Sequence, residues 1–561
     1  MTDTWWQSAV VYQVYPRSFA DSDGDGIGDL RGVIDRLDHL ALLGVDVLWL
    51  SPVYRSPMAD NGYDISDYQD IDPLFGTLAD LDDLVAGLHD RGIKLVMDLV
   101  VNHTSDEHAW FVESRSSRDN PKRDWYLWRD PRDGRAPNNW GSAFSGPAWT
   151  FDEPTGQYYL HLFDRKQPDL NWENPEVRAA VHAMMNWWLD RGVDGFRMDV
   201  INFISKAEGL PDAPPVPGRD VVSAFDLYAD GPRVHEFLAE MHREVFAGRD
   251  GQFLTVGEMP GVTLEQARLY TDPDRAEVDM VFQFEHVMLD QDRHDKFQPV
   301  GLDQLALKRS LFRWQEGLAD VGWNSLYWNN HDQPRAVSRF GDDHPDWWLA
   351  SAKAIATVLH GLRGTPYVYQ GEELGMTNFP FASPEQHRDV EAVNYHATVV
   401  AAGGDATAAL AGMAVMGRDN ARTPMQWDAS QQAGFTTGLP WIEVNPNHGW
   451  LNAAAQVEDP ASVFAHYRAL IRLRRERPAL ATGGFAALLE DDPVLWAYTR
   501  TGDGERLLVV VNAGREPRDL RLEEWYGAEL LLGNLPGTPA TYDGSATTWA
   551  GWDARIYALR G

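Results

Sequence analysis

The chain is predicted to fold as a (β/α)₈ barrel with a small inserted domain after its third strand and a C-terminal antiparallel β-sandwich domain. Short apolar, β-branched segments alternate about eight times with segments whose apolar residues recur at helical spacing, which is typical of parallel strands joined by right-handed crossovers. The 561 residues also exceed what one simple core holds, so more than one domain is expected. The alternation stops over residues 104–173 and again after about residue 475, which places the two additional domains.

A doubly wound sheet is the competing topology. Such sheets rarely need eight strands, and no Gly-x-Gly-x-x-Gly fingerprint follows the first strand. The nearest candidate runs from Gly24 to Gly28, but it has the wrong spacing and is crowded with carboxylates that would repel a pyrophosphate. The barrel is therefore favoured.

The first three predicted strands are separated by two helices. The strands are AVVYQVYPRSF from Ala9, VDVLWLSP from Val45 and IKLVMDLVVNH from Ile93. Between them, GVIDRLDHLALLG predicts one helix that ends at Gly44, and LADLDDLVAGLHDRG predicts a second. Residues 104–173 are then rich in Pro, Asn, Asp and Trp, and because so long a stretch is rarely a structureless loop, an inserted domain is predicted there.

The alternation resumes after residue 173. The remaining strands are VDGFRMDV, QFLTVGEM, VDMVFQF, WNSLYWNNHD and TPYVYQGEE, so the barrel is predicted to comprise residues 1–103 and 174–475. Within it, residues 376–450 contain an Ala/Gly-rich segment that we interpret as an extra helical and loop subdomain over the barrel mouth. Residues 476–561 contain short alternating strands broken by Gly, Pro and Asp, which predicts the C-terminal β-domain.

The composition favours a small neutral ligand. A formal net charge of -35 would repel nucleic acid and anionic membranes, and it disfavours a highly anionic substrate. The 23 tryptophans supply broad faces on which sugar rings pack, although most tryptophans lie in protein cores. The absence of cysteine excludes disulfides, zinc–thiolate sites and cysteine catalysis.

The start of the chain, MTDTWWQS, resembles no secretory signal, and no apolar run is long enough to span a membrane. We therefore expect a cytoplasmic protein, a monomer or weak homodimer, without nucleic acid or membrane partners.

The stretch DSDGDGIGDL, from Asp21 to Leu30, places aspartates at alternate positions with glycines between them. Carboxylates at this spacing can gather several oxygen ligands around a hard cation. Asp21, Asp23 and Asp25 match the opening of an EF-hand loop, but Gly32 stands where the pattern needs Glu, and the flanks are a strand and a helix. A metal-free acidic turn stays open as the alternative.

Acids and bases follow four predicted strands, at the end where a barrel places its active residues. Strand three ends in Asn102-His103, strand four in Arg197-Met198-Asp199, strand five in Gly257-Glu258 and strand seven in Asn330-His331-Asp332. A lone strand-end aspartate is usually a helix cap or a turn former. Three acids with partners on three strands favour one shared pocket instead.

Paired carboxylates across one bond are the chemistry of glycoside hydrolysis. Arg197 lies two residues before Asp199 on the same strand face, so its guanidinium is expected to keep that carboxylate ionised, as a nucleophile requires. Glu258 follows an apolar strand, and an apolar wall can keep its carboxyl protonated for general acid catalysis.

Several strings resemble the α-amylase superfamily, glycoside hydrolase family thirteen, in its oligo-1,6-glucosidase and α-glucosidase branch. They are NGYDISDY, DLVVNHTS, GFRMDV, GEMPGV, NNHDQPR and RTPMQWD, and they occur in family order. The resemblance implies a retaining double displacement with Asp199 as nucleophile, Glu258 as acid/base and Asp332 as the residue that binds sugar hydroxyls and stabilises the transition state. It also implies a pocket for the terminal glucose formed by Asp60, Tyr63, His103, Arg197, His331 and Arg418, with Phe163 and Gln167 from the inserted domain.

The resembling glucosidases bind a divalent cation in a loop of the acidic pattern described above, which favours the metal interpretation. The implied ligands are Asp21, Asp23, Asp25, the Ile27 carbonyl and Asp29. Calcium (Ca²⁺) fits these hard oxygen ligands best, with Mg²⁺ as the alternative. Because the catalytic acids lie on other strands, the ion is expected to brace the loop, and no organic cofactor is expected.

Two positions narrow the expected substrate by resemblance. Val200, directly after the nucleophile, is similar to enzymes that act on α-1,6 links such as those of isomaltose and panose, whereas Ala or Thr is usual in strictly α-1,4 enzymes. Sucrose isomerases carry an Arg-Leu-Asp-Arg-Asp segment where this chain has Met288-Leu-Asp-Gln-Asp292, and the missing arginines favour hydrolysis. The expected function is therefore an exo-acting α-glucosidase that favours α-1,6 links. The alternatives are a transglycosylase or sucrose/trehalose isomerase on the same scaffold and, remotely, a non-catalytic transporter-partner homologue.

Overall fold

The computed structural model describes residues 4–292, 295–502 and 504–560, and its centre is a barrel of eight parallel strands. In chain order, strands 1 to 8 are Val11–Val14, Val47–Leu50, Lys94–Val100, Gly195–Asp199, Leu254–Glu258, Met280–Phe282, Ser325–Leu326 and Thr365–Tyr369. Strand 1 pairs with strands 2 and 8, and a parallel bridge between Val281 and Asn324 joins strands 6 and 7 and closes the barrel. The predicted fold class is confirmed, although strands 6 and 7 are shorter than the apolar segments that predicted them.

Helices follow each strand. After strands 1 to 8 they are, in order, Leu30–Asp35 with Leu37–Leu43, Leu78–His89, Pro175–Asp190, Val234–Met241, Leu264–Tyr270, Gln304–Gly317, Ala336–Phe340 with Trp348–Gly361, and Val463–Glu476. Local chemistry sets their ends: Thr77 caps one helix with a capping box, and Gly44 ends another in the left-handed region at φ 93°. The first helix ends at Gly44 as predicted, but it is two helices, because Arg36 leaves the helical region at ψ 7°.

Residues 104–173 form a small unit beside the barrel mouth. Its elements are the helix Ala109–Ser116 and three antiparallel strands, Trp128–Arg129, Trp149–Asp152 and Gln157–Leu160. The Pro-rich loop after strand 4, residues 211–220, packs on this unit. The indole of Trp140 donates to the Pro211 carbonyl at 2.8 Å, and Trp140 and Val222 belong to one buried cluster. The inserted unit is thus held against the end of strand 4.

Beyond strand 8, the helices Val390–Ala401 and Ala406–Met416 form a hairpin, and the short helix Asp419–Arg422 follows it. The C-terminal domain holds a five-stranded antiparallel sheet and a two-stranded one. Their strands are, in sheet order, Gly484–Leu488, Leu495–Gly502, Glu505–Asn512, Ala554–Arg560 and Glu529–Gly533, and then Arg518–Leu520 with Thr547–Trp549. Leu508 and Trp549 from the two sheets share a buried core, as in a β-sandwich.

None of the helices within the described ranges has the length and apolar character needed to cross a membrane.

Candidate active site

Arg197 in strand 4 joins three carboxylates at the carboxyl end of the barrel. Its Nη1 lies 2.6 Å from Oδ1 of Asp98 and 2.6 Å from Oδ1 of Asp199, and its Nη2 lies 2.5 Å from Oε1 of Glu258. Asp98 is the register partner of Arg197 on strand 3, and Asp199 is on the same face as Arg197 two residues later. Because the guanidinium is buried, these charge-assisted bonds set the positions of all three carboxylates.

The pocket separates the pKa values of the two predicted catalytic carboxyls. Burial raises both, and Arg197 offsets part of that effect, so the pKa of Asp199 is about 6. The pKa of Glu258 reaches about 8, because the charges of Asp199 and Asp332 add to the burial. At neutral pH, Asp199 is mostly ionised and Glu258 mostly protonated, which is the pattern required of a nucleophile and a general acid.

The cause of this separation differs in part from the sequence expectation. Arg197 contacts Glu258 as well as Asp199, so the guanidinium does not single out the nucleophile. For Glu258, burial is the largest cause of the raised pKa, as the sequence predicted, and the charges of Asp199 and Asp332 add to it. Complete burial among negative charges keeps the Glu258 proton in place.

Val200 has a backbone conformation that is uncommon for a β-branched residue. Its φ of 35° and ψ of 42° lie in the left-handed region. In this conformation the Val200 N–H donates to Oε2 of Glu258 at 3.1 Å, while the side chain lines the pocket beside Asp199. Val200 therefore connects Asp199 to Glu258 and borders the cavity beside them.

Asp332 lies after strand 7 beside two guanidiniums and an imidazole. Its Oδ1 is 2.8 Å from Nη2 of Arg422 and 3.2 Å from Nη1 of Arg418, and its Oδ2 is 3.3 Å from Nε2 of His331. Burial alone would raise the pKa of Asp332, but the neighbouring imidazole and two guanidiniums outweigh it, and the pKa lies below its ordinary value. Asp332 therefore stays ionised, which suits electrostatic stabilisation better than proton transfer.

A neutral imidazole supports the floor of the pocket. Burial lowers the pKa of His331 to about 3. Nε2 of Gln13 lies 2.8 Å from Nδ1 of His331, so the ring proton is placed on Nε2, which is 2.7 Å from the Tyr63 hydroxyl. The rings of Tyr63 and His331 are stacked with their centroids 5.2 Å apart. Tyr63 is thus held in place as one face of the cavity.

Another wall combines the loop after strand 2 with the inserted unit. Nε2 of Gln167 donates to Oδ2 of Asp60 at 3.1 Å and lies 3.2 Å from Nε2 of His103. The Phe163 ring packs on His103 with a centroid distance of 5.1 Å. Burial raises the pKa of Asp60 to about 7 against the opposing charge of Arg418, whose Nη2 is 3.5 Å away. This wall presents hydrogen-bonding groups that can distinguish sugar hydroxyls.

These side chains enclose a cavity of about 190 Å³. The predicted residues that line it are Asp60, Tyr63, His103, Phe163, Asp199, Val200, Glu258, Asp332 and Arg418, and the additional ones are Phe144, Pro260, Phe284, Lys296, Gln333 and Glu391. Arg197, Gln167 and His331 are buried directly behind this lining. The structure thus brings together every residue predicted for catalysis or substrate binding, while the role of each stays a prediction.

Three residues that sequence reasoning did not single out belong to the same network. Asp98 is a carboxylate within the apolar third strand, and this mismatch was the available signal. Arg422 stands in the string RTPMQWD, where its residue type alone gave no signal. Lys206 places its ammonium 3.1 Å from Oδ1 of Asn102 and 2.9 Å from Oδ2 of Asp169, and so it anchors the end of strand 3 to the inserted unit.

The acidic loop after strand 1 gathers carboxylates outside this pocket. Oxygen atoms of Asp21, Asp23 and Asp29 lie within 4.8 Å of one another, and Asp25 is not part of that group. Burial and the charges of the other three aspartates raise the pKa of Asp25, and its Oδ1 accepts the Ile27 N–H at 2.8 Å. Crowded carboxylate oxygens of this kind fit a hard cation. The assignment of Asp25 and of the Ile27 carbonyl as metal ligands stays a prediction.

A barrel whose strand ends converge on paired carboxyls with separated pKa values has the arrangement that glycoside hydrolases use. The model of the alpha amylase catalytic domain matches residues 13–483, and the chain belongs to this family. An oligo-1,6-glucosidase of Halalkalibacterium halodurans is 56% identical over 563 residues, which cover 99% of each chain. A trehalose-6-phosphate hydrolase of Bacillus subtilis is 51% identical over 94% of each chain. Among solved structures, the trehalulose synthase of Pseudomonas mesoacidophila has a TM-score of 0.95 at 45% identity, covering 100% of both chains.

Proposed function

We propose that the protein is an exo-acting retaining α-glucosidase that hydrolyses terminal non-reducing α-D-glucose from short oligosaccharides, with α-1,6 links favoured and α-1,4 links possible. The observation that carries this proposal is the pair of buried carboxyls, Asp199 and Glu258, held by one guanidinium. Carboxyls bound to the two terminal nitrogens of a single Arg197 lie close together, as retention requires, whereas inverting enzymes keep the pair farther apart to admit a water.

The end of the pocket supports exo action. Asp60, Arg418 and Asp332 form a connected ion-pair network that lines the cavity, so a sugar chain has no open path between them. A terminal glucose fits such a closed end, while an internal sugar would need a through-going cleft. The groups of the network can hydrogen-bond the hydroxyls of that terminal sugar.

The preference for α-1,6 links is supported by Val200 and by the names of relatives. The side chain of Val200 lies beside the nucleophile, where it can limit how the leaving sugar lies. The relatives include the oligo-1,6-glucosidase already described and a glucan 1,6-alpha-glucosidase of Streptococcus pneumoniae, which is 49% identical.

The charges around the pocket support a neutral substrate over a phosphorylated one. Lys296 and Arg418 are the lysine and arginine among the described lining residues, and both are paired. Nζ of Lys296 is 2.6 Å from Oε2 of Glu391, and Arg418 contacts Asp60 and Asp332. No cation of this lining is left to receive a phosphate, and the net charge of -35 opposes its approach. We also propose a cytoplasmic enzyme that is monomeric or weakly dimeric and has no nucleic acid or membrane partners, and the net charge of -35 supports the last part because it repels such polyanions and anionic membranes.

Isomerisation is the second candidate, since a trehalulose synthase shares the fold. Hydrolysis is favoured because the segment from Met288 to Asp292 lacks the arginines found in sucrose isomerases. Within it, the Gln291 side chain donates to the Val287 carbonyl at 2.8 Å, and both carboxylate oxygens of Asp290 bind Arg339.

Product analysis on separate substrates tests the proposal. The enzyme is incubated separately with isomaltose, maltose, sucrose, trehalose and trehalose 6-phosphate. Chromatography identifies the products, and NMR shows which anomer of glucose is released first. We expect glucose to be released fastest from isomaltose and to appear first as the α-anomer. Release from maltose but not isomaltose would contradict the argument from Val200, inactivity on every substrate would contradict exo hydrolysis, and new disaccharides from sucrose would favour the isomerase.

We also propose that the acidic loop binds a structural Ca²⁺, with Mg²⁺ as the alternative. An ion that binds only the folded state adds to stability, so EDTA is expected to lower Tm before it lowers the activity of molecules that are still folded. Thermal unfolding with EDTA and then with excess Ca²⁺ or Mg²⁺ measures this. Asp21→Asn should abolish the response, whereas Asp35→Asn, an exposed aspartate in the following helix, should keep it. A Tm that changes neither with EDTA nor with added metal would contradict the proposal of a bound ion.

A further inference from the structure

Arg418 and Arg422 place two buried guanidiniums against the same carboxylate oxygen. Nη1 of Arg418 and Nη2 of Arg422 lie 3.2 Å and 2.8 Å from Oδ1 of Asp332. Both side chains are nearly inaccessible to solvent. Two neighbouring cations without water repel each other strongly, so this arrangement needs a further negative charge.

Asp389 supplies that charge from behind the pocket. Its Oδ1 lies 2.5 Å from Nη2 of Arg418 and 3.3 Å from Nη1 of Arg422. Each guanidinium therefore uses one terminal nitrogen for Asp389 and the other for Asp332. Asp389 is completely buried and is not among the residues that line the cavity.

The position of Asp389 is itself fixed by the backbone around it. It is the N-cap of the helix Val390–Ala401, and its Oδ2 accepts the Ala392 N–H at 3.4 Å. Its own N–H donates to Oδ2 of Asp419 at 3.2 Å, one residue after Arg418. The carboxylate is thus anchored both to the helical hairpin and to the segment that carries the arginines.

We infer that Asp389 is a positioning residue for the hydrolysis, acting through Arg418 and Arg422 on Asp332. The inference rests on the proposed function but concerns a residue that does not touch the substrate. When the charge of Asp389 is removed, the guanidiniums repel each other, and among the described residues only Asp332 still forms an ion pair with both of them, while Asp60 and Glu391 contact Arg418. The pocket then has one more net positive charge, which disfavours the oxocarbenium-like transition state of glycoside hydrolysis.

The test is Asp389→Asn, which removes the charge but keeps a good N-cap, because Asn and Asp cap helices equally well. We expect kcat/KM for p-nitrophenyl α-D-glucopyranoside to fall by about 10- to 100-fold, the scale of loss for a misplaced catalytic group. The affinity for 1-deoxynojirimycin, a cationic analogue of glucose, should fall more than the affinity for glucose itself. A purely structural loosening would weaken both ligands equally.

Asp405 offers a matched control. It caps the second helix of the same hairpin by accepting the N–H groups of Thr407 and Ala408, but it is exposed, and within the described part of the chain it forms no hydrogen bond or ion pair with either arginine. Asp405→Asn should leave kcat/KM and the affinities for 1-deoxynojirimycin and glucose at wild-type values. The inference would be overturned by a folded Asp389→Asn enzyme whose kcat/KM stays within about twofold of wild type. It would also be overturned if the affinities for 1-deoxynojirimycin and for glucose fell by the same factor.

A double-variant comparison keeps the inference testable if Asp389→Asn alone fails to fold. Arg422→Gln removes one of the two repelling cations, so adding Asp389→Asn to it should cost much less activity than in the wild-type background. An equal or larger further loss would overturn the inference. The isomaltose activity of the wild-type enzyme is a separate result, so failure of the proposed function and failure of this inference are distinguishable.

Discussion

Replacement of Asp199 by alanine is expected to lower kcat/KM for isomaltose by on the order of 10⁴-fold, the scale of loss when one member of a covalent catalytic unit is removed. The reason is that the carboxylate is held 2.6 Å from Arg197 at the end of strand 4 and is the oxygen nucleophile of the proposed double displacement. Steady-state kinetics measures the loss, and circular dichroism checks that the fold is kept.

Azide rescue and a control variant make this result specific. Azide should enter the space left by the Asp199 side chain and convert an aryl α-glucoside into β-glucosyl azide by direct displacement. Asp279 precedes strand 6 at the opposite end of the barrel, where its carboxylate accepts the Thr255 N–H at 2.7 Å. Asp279→Ala should therefore reduce stability and spare catalysis. Undiminished turnover by folded Asp199→Ala would refute the assignment of the nucleophile.

Replacement of Glu258 by glutamine is expected to lower the hydrolysis of isomaltose by about 10²- to 10⁴-fold, the usual contribution of general acid–base catalysis. For the wild-type enzyme, kcat/KM should rise as pH increases through about 6, where Asp199 ionises, and fall as pH increases through about 8, where Glu258 loses its proton. These are the apparent pKa values of a coupled pair. Since glutamine does not titrate, the fall of kcat/KM on the basic side of the pH profile should disappear in the variant.

Substrates with different leaving groups check this role. α-Glucosyl fluoride needs little protonation to leave, so Glu258→Gln should form the glycosyl–enzyme intermediate from it at a rate close to wild type and then hydrolyse it slowly. A pre-steady-state burst would show this behaviour. Equal losses for isomaltose and the fluoride, or a basic limb that persists in the variant, would assign the acid to another group.

Local sequence patterns were sufficient to predict the barrel and most of its elements. Apolar segments of strand length alternate with helical periodicity, and end signals such as Gly44 and Thr77 act within a few residues, so this information is local. The break at Arg36 was not predicted, because the apolar spacing continues across it. The short length of strand 7 was also not predicted. The number of residues that pair in a strand depends on the neighbouring strands and not on apolar character alone.

The candidate site was predicted where chemistry-bearing residues directly end a strand, as with Asp199, Glu258 and Asp332. It was missed where a residue acts through distant partners. Arg422 and Asp389 matter because each faces a charge that lies tens of residues or more away along the chain, and nothing in their own neighbourhoods in the sequence indicates this.

The sequence by itself determined the barrel, the insertion after strand 3 and the kinds of residue at each strand end, because periodicity and turn chemistry are properties of short segments. The sequence also predicted an ionised Asp199 and a protonated Glu258, but only the tertiary structure decided which groups separate the pKa values of these two carboxyls. That outcome depends on burial and on charges that strands 3, 4, 5 and 7 and the segment around Arg418 bring within a few ångströms of one another. Electrostatic energies follow distance in space and exposure to solvent, and the linear order of residues contains neither quantity.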